Sequence, residues 1–351
     1  MKPASTRRFK IVVTEVTDFV GDSHRLLDES GHEISYGRPT WVDPSRPVTE
    51  AELIEACRAA DAVMGASRDR YTRRFMEACP RLRVISKYGI GTEKIDVDAA
   101  SELGILVTNT PVPENYHSVA EHTIALVLAA RRRVKSLEKF LLAGGWRGPD
   151  TPVDDLEGTR IGLIGFGRIG REVAARLQGW GVDLVAYDPY VEADAGAALG
   201  VRLVTLEELL STSDVVSVHV VATDETRKLL DDQRLRLMKR SAHLVNTSRG
   251  EIVDEDALYA ALSEGRLAGA ALDVFDPEPP RLDSPLLSLD CVTMSPHVAG
   301  FSRRTLRAIT LAATENLLAA LRGDVPRYVK NPGAVPRWRE RLAKLDASVP
   351  A

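Results

Sequence analysis

The sequence predicts an α/β fold of two domains with parallel sheets, the first of them discontinuous in sequence. Three observations carry this. At 351 residues the chain exceeds the size of a usual single core. Short apolar runs alternate with polar, helix-forming stretches in two successive series, the pattern of strand–helix–strand crossovers. At the opening of the second series, Thr159 to Gly170 reads TRIGLIGFGRIG, an apolar strand that runs straight into a glycine-rich turn.

From Phe9 the apolar runs KIVV, DAVMG, LRVIS and ILVTN predict strands, with helical stretches such as Thr49 to Ala59 and Arg73 to Ala78 between them. The stretch Asn115 to Arg133, NYHSVAEHTIALVLAARRR, predicts a long amphipathic helix. It should begin near Ser118 and end in three arginines that suit its C-terminal dipole. Pro111 and Pro113 precede it and suggest a hinge. The second series runs from IGLIG through DLVAYD, DVVSVHV, AHLVNTS and GAALDV to CVTMSPH. A helix over roughly Arg303 to Leu321 follows and is expected to pack back on the first domain, which makes that domain discontinuous. The expected boundaries are 1–112 with 301–333 for the first domain and 113–300 for the second. Residues 334–351, proline-bounded and charged, read as a frayed tail.

Composition narrows the class. Hydrophobic residues are 44% and charged residues 27% of the chain, values of a soluble globular enzyme. A net charge of -4 argues against a broad basic surface for nucleic acid. Cys57, Cys79 and Cys291 lack metal-ligand spacing and read as small buried side chains in a reducing compartment, which fits the cytoplasm. His117, His122, His219 and His243 form no ligand group either, so no metal site is expected; His122 reads as packed on the long helix. No apolar run approaches 18 residues, and MKPASTRRFKIVV moves into a strand, so neither membrane insertion nor export is expected.

The strand–turn–helix context gives the glycines a meaning. Gly165 permits a tight turn, Gly167 lets the backbone approach a pyrophosphate, and Gly170 lets the helix pack on the strand. The helix start at Arg168 and Ile169 offers N–H groups to the phosphates. The next strand, VDLVAY, ends at Asp188, about 20 residues on, where a carboxylate can accept hydrogen bonds from adenosine ribose hydroxyls. Asp188 would repel a 2′-phosphate, and Pro189 and Tyr190 supply no cation for one, so the expected cofactor is NAD rather than NADP.

Seven segments follow in a telling order: KYGIGTEKIDVDAA at Lys87, GILVTNTP at Gly104, SVAEHTIALVLAARR at Ser118, GLIGFGRIG, VNTSRGEIVDEDAL at Val245, LAGAALDVFDPEPP at Leu267 and SPHVAG at Ser295. With them the chain resembles, over nearly its whole length, the NAD-dependent D-2-hydroxyacid dehydrogenases, a family that includes phosphoglycerate dehydrogenase, glyoxylate/hydroxypyruvate reductase and D-lactate dehydrogenase. The resemblance implies two Rossmann-like domains, a flavodoxin-like one for substrate and one for NAD, with the active site in the cleft between them. It further implies a small anionic 2-hydroxy or 2-keto acid as substrate and a homodimer built through the nucleotide domain. With the glycine-rich turn at Tyr88 on one domain and His297 on the other, closure on hinges near Pro111 and Gly300 is expected.

Hydride transfer at a 2-hydroxy acid needs a base on the hydroxyl, a cation for the substrate's oxygens, and a carbon held against the nicotinamide. His297 ends the last strand of the second series, and the resemblance makes it the acid/base. SPHVAG alone fits a buried, hydrogen-bonded histidine equally well. Glu278 matches the family's carboxylate that bonds the imidazole, where its charge would stabilise imidazolium; without the resemblance it is a solvated loop acid. Asp276 is its weaker rival. Arg249, at a strand C-terminus, can reach a substrate carboxylate and the reacting oxygen with its rigid fork, or be a surface turn arginine. The resemblance adds Asp273 near the nicotinamide carboxamide, Thr247 and His297 among the cofactor contacts, and His219 on the adenine side. Tyr88, Gly89, Ile90 and Gly91 resemble a turn whose backbone N–H groups hold the substrate carboxylate.

Three positions depart from the family's pattern. Lys94 stands in place of a common asparagine and Val221 in place of a proline. Ala66 precedes Ser67 where phosphoglycerate dehydrogenases often carry an arginine, although Arg68 and Arg70 are close enough to substitute. The rival functions are a phosphonate- or phosphite-type dehydrogenase and a corepressor-like NAD-sensing protein of the same fold. Retention of Arg249, Glu278 and His297 together favours the dehydrogenase.

Overall fold

The computed structural model describes residues 7–17, 24–39, 48–65 and 68–347, and the apolar runs of the sequence lie in its two parallel sheets. Residues divide into unit 1, Met1–Asn115 with Arg303–Ala351, and unit 2, Tyr116–Ser302.

In unit 1 the strands β1 (Lys10–Val16), β2 (Glu33–Pro39), β3 (Ala62–Gly65), β4 (Val84–Lys87) and β5 (Leu106–Thr108) form a sheet of order β2-β1-β3-β4-β5. Every pair is parallel. The crossovers carry α1 (Arg25–Asp28), α2 (Glu50–Cys57), α3 (Arg73–Ala78) and α4 (Val97–Leu103). Strand side chains alternate between faces: Ile11, Val13, Met64 and Leu106 enter one core, Val12, Val63, Ile85 and Val107 the other. β3 and β4 are buried on both faces: β3 is an apolar run throughout, while β4 pairs Val84 and Ile85 with buried Ser86 and Lys87. β2 is different. At the sheet edge, EISYGRP needs no such run, and it was not among the expected strands.

The helix α5 (Pro113–Arg131) starts five residues before the expected Ser118, since proline is tolerated in a first helical turn. It ends at Arg131, and Arg133 turns the chain at a positive φ of 51° into α6 (Val134–Leu142), a helix the sequence reading did not separate. Unit 2 then holds β6 (Arg160–Ile164), β7 (Asp183–Tyr187), β8 (Arg202–Leu203), β9 (Val215–Val218), β10 (His243–Asn246), β11 (Gly269–Leu272) and β12 (Val292–Met294), with α7 (Arg168–Arg176), α8 (Leu206–Thr212), α9 (Asp232–Leu235) and α10 (Glu255–Ser263). The order β12-β11-β10-β9-β6-β7-β8 reverses direction between β9 and β6. Open α/β sheets bind ligands beyond the carboxyl ends of their strands at such a switch point.

Two expectations are corrected. Residues 334–351 are not a frayed tail through the described part: α12 (Val335–Ala347) follows α11 (Arg303–Leu321), and both pack into the unit 1 core. Trp338 is fully buried, and Leu342, one turn further along the same face, joins it. Proline marked a boundary here only because prolines suit helix starts. Cys291 is exposed, unlike buried Cys57 and Cys79. Among the described residues no helix is long and apolar enough to cross a membrane, and no group of three or more His, Cys, Asp or Glu side chains could hold a metal.

Candidate active site

The glycine-rich turn connects β6 to α7 at the switch point of unit 2. Gly165 has φ of +96°, and a methyl group there would lie 2.8 Å from the His219 carbonyl carbon. A methyl on Gly170 would lie 2.3 Å from Gly165 O, so helix and turn meet only without a side chain. Gly167 is the opposite case: nothing lies within 4 Å of the place a methyl would take. It caps α7 without a side-chain hydrogen bond, so the first helical turn at Arg168 and Ile169 leaves its N–H groups beside open ground. Asp188, just past β7, braces the turn by accepting from Phe166 N at 2.9 Å and from Tyr190 N at 3.0 Å. This cradle fits a dinucleotide: glycine where the backbone must be approached, a helix N-terminus for the phosphates, and an acid at the next strand end.

Two cofactor candidates are already engaged. The Arg168 guanidinium donates to the Tyr116 hydroxyl and lies 5.3 Å over that ring. His219 turns its ring back onto Ser217 Oγ at 2.9 Å, with Nδ1 sealed from solvent and without a partner. That desolvation lowers its pKa to about 4 and keeps the ring neutral. His219 therefore meets the turn through its backbone beside Gly165, and its ring, partly buried, is set against Ser217.

The remaining candidates gather at the ends of β10, β11 and β12. His297 Nδ1 donates to Glu278 Oε2 at 2.7 Å, and Glu278 Oε1 accepts from Phe275 N at 3.2 Å. Asp276 is not the imidazole's partner; its amide is held by Glu255 Oε1 at 2.8 Å. Arg249 follows β10 in a turn closed by Asn246, whose Nδ2 donates to Arg249 O at 2.9 Å and whose Oδ1 accepts from Ser248 N at 3.0 Å. Gly250 lets this turn press against the Glu278 loop, since a methyl there would lie 2.0 Å from the Phe275 carbonyl carbon. Arg249, Glu278 and His297 are thus on three loops of one strand-end cluster.

His297 adopts φ of +54°, a left-handed conformation that costs a non-glycine residue about 1–2 kcal/mol. Asp273, fully buried, holds it there. Its carbonyl accepts from His297 N at 2.7 Å. Its Oδ1 accepts from Ser295 Oγ at 2.6 Å and Val298 N at 2.9 Å, and its Oδ2 from Ala299 N at 2.8 Å. Burial pushes this carboxyl's pKa up, but the hydrogen bonds from His122, Ser295 and the two amides outweigh it and hold it below the usual value. Thr247 Oγ1 is 2.8 Å from Thr123 Oγ1 on α5.

Over residues 124–299 the chain matches the model of the D-isomer specific 2-hydroxyacid dehydrogenase NAD binding domain. The chain belongs to the D-isomer-specific 2-hydroxyacid dehydrogenases. It is 41% identical over 295 residues to a glyoxylate reductase of Korarchaeum cryptofilum, covering 83% of this chain and 88% of that one. It is 36% identical over 337 residues to a D-3-phosphoglycerate dehydrogenase of Methanocaldococcus jannaschii, covering 96% of this chain but only 62% of that longer one. A D-lactate dehydrogenase from Aquifex aeolicus, solved with NAD and lactic acid, superposes with a TM-score of 0.77 at 30% identity over 90% of this chain and 96% of its own.

This D-2-hydroxyacid dehydrogenase is therefore an NAD-dependent oxidoreductase acting between a hydroxy acid and a keto acid. Its unit 1 carries the turn after β4. There Tyr88 N donates to Gly65 O at 2.9 Å and Gly89 N to Thr110 Oγ1 at 2.7 Å. Those two amides are spent on the fold, and the Tyr88 hydroxyl lies 2.7 Å from buried His24 Nε2. Ile90 and Gly91 are the members of the expected set whose amides are not consumed in these bonds. Ala66 and Ser67 lie outside the described residues; the amides of Arg68 and Asp69 are both held by Glu15 Oε1 at 3.0 Å.

Sequence reasoning missed His122 and Ser295. His122 Nε2 is 2.8 Å from Ser295 Oγ and 3.5 Å from Asp273 Oδ1. The spacing held a signal: Ser118 and His122 are four apart and so share a helix face.

Proposed function

We propose that this enzyme catalyses reversible hydride transfer between NAD(H) and a small D-2-hydroxy acid or its 2-keto acid, with His297 as the acid/base. The bond of 2.7 Å between His297 Nδ1 and Glu278 Oε2, on an imidazole 45% exposed, carries the reading. Because Nδ1 is committed to the carboxylate, Nε2 is the nitrogen left to meet a substrate oxygen. Bound NAD(H) supplies the carbon that gives or receives the hydride. In reduction His297 delivers its proton to the oxygen becoming a hydroxyl, and in oxidation it takes that proton back. Glu278 fixes the ring's tautomer and balances the imidazolium charge. Arg249, on the neighbouring turn, supplies the cation that holds the acid and favours negative charge on the reacting oxygen. In unit 1, read as the substrate-binding domain, the amides of Ile90 and Gly91 are donors for a carboxylate.

Asp188 selects NAD over NADP, since a 2′-phosphate would be brought against its charge. The relatives' names point to glyoxylate or a phosphorylated 2-keto acid as the substrate class. α6 and the segment after it leave Leu141 54%, Leu142 82% and Trp146 73% exposed, an apolar surface suited to a second copy, so the enzyme is read as a homodimer. Sedimentation velocity showing only monomer at micromolar concentration would remove that part. The free buried thiols suit a reducing compartment, and the cytoplasm is the proposed location.

The kinetic test uses NADH or NADPH with glyoxylate, hydroxypyruvate, phosphohydroxypyruvate and pyruvate. One or more acids should be reduced with a higher kcat/KM for NADH than for NADPH. His297→Ala should lose about 100-fold or more of kcat while binding NADH normally. Substantial turnover by that variant would mean that the proton carrier is another group.

A further inference from the structure

The geometry points to α5 as the element that sets the catalytic loop, with His122 as a positioning residue acting on His297 through Ser295 and Asp273. This rests on the reading of His297 as acid/base and asks what keeps that residue in place. His297 holds a backbone conformation that only a glycine adopts without strain. Its neighbours in the loop offer few apolar anchors: Pro296 and His297 are exposed, and of residues 295–299 only Ala299 is buried. Hydrogen bonds must therefore define the loop, and they converge on Asp273.

Donor arithmetic orders the chain. A serine hydroxyl has one proton. Ser295 Oγ gives it to Asp273 Oδ1 at 2.6 Å, so at the contact of 2.8 Å between His122 Nε2 and Ser295 Oγ the histidine is the donor. His122 thus carries a proton on Nε2 and closes a relay from α5 through Ser295 to Asp273. A second anchor from the same helix face grips the far end of the loop, where Ser118 Oγ donates to Ala299 O at 2.7 Å. The same logic extends to the arginine turn. Thr123 Oγ1 donates to Val119 O at 2.8 Å, so Thr247 donates to Thr123 at 2.8 Å, two residues before Arg249. Three side chains of one helix, Ser118, His122 and Thr123, therefore hold the loops bearing two members of the catalytic cluster. None of the three is itself placed against a reacting atom.

A clamp of this kind acts on kcat through the placement of His297, whereas a purely structural contact would change stability alone. The test compares His122→Leu, Ser295→Ala, their double variant and His122→Gln, which keeps a donor, in steady-state reduction, NADH-binding fluorescence and thermal melting. His122→Leu and Ser295→Ala should each lose about 10-fold in kcat, as small displacements of a proton carrier do, with NADH affinity within about twofold. His122→Gln should recover most of the loss, and the double variant should be no worse than the poorer single one. Unchanged kcat in both single variants, or losses that multiply in the double one, would overturn the proposal. Should Ser295→Ala not fold, His122→Leu and its recovery by glutamine decide alone. Failure of the acid/base reading is distinct, because it would appear as retained turnover in His297→Ala, whatever α5 does.

Discussion

His243 shows how much a single residue can be at odds with its surroundings. It begins β10 at 7% exposure, with Nδ1 buried and unpartnered. Burial first, then the nearby charge of Arg131, lowers its pKa from 6.5 to about 4. Folded, it stays neutral where an unfolded chain would already bind a proton. Stability from this residue is therefore complete above pH 6.5 and is lost as pH falls toward about 4, by an amount of order 3 kcal/mol at most. His243→Leu should flatten the decline of the urea midpoint between those pH values, and an unchanged slope would refute the assignment. Not all such residue-level facts can be read from sequence. His297 and Glu278 were legible because motif order placed them, and His297 did find Glu278 at 2.7 Å. His122 and Ser295 are 173 positions apart, and only a folded backbone brings them to 2.8 Å. Asp273 reads from sequence as a nicotinamide contact, and in the fold its carboxylate also holds the catalytic loop, accepting twice at Oδ1 and once at Oδ2.

At the scale of elements, legibility tracked burial. The central strands β3, β4, β9 and β10 are buried along their whole length, and each is marked by at least two adjacent apolar residues. β2 at one edge and the two-residue β8 at another are not, since each adds a partly buried apolar side chain, Ile34 or Leu203, to its backbone pairing. α12 was misread for a related reason: its charges dominate the composition while Trp338 and Leu342 carry the packing. Arg341 reinforces the docking, donating to Leu82 O and Pro80 O, each at 2.8 Å, and to Leu103 O at 3.2 Å. Arg83, itself buried, reaches Asp346 at 2.6 Å. Trp338→Ala should cost about 3–5 kcal/mol in chemical denaturation, the range for emptying a large buried aromatic site. A cost below about 1 kcal/mol would show that α12 lies on unit 1 without stabilising it.

For the whole molecule, the alternation of apolar runs sufficed for two parallel sheets, and the glycine turn fell at the switch point of the second. The return of α11 to the first unit was legible as well, from its position after the last strand. What remained hidden was how far unit 1 depends on the end of the chain. Its core mixes Phe9, Val13 and Met64 with Leu306, Leu317 and Trp338. Unit 2, by contrast, is one uninterrupted stretch, Tyr116–Ser302. During synthesis a ribosome therefore delivers every residue of unit 2 while one face of the older unit 1 sheet still lacks the two helices that cover it. Of these two units, the one begun earlier is completed later.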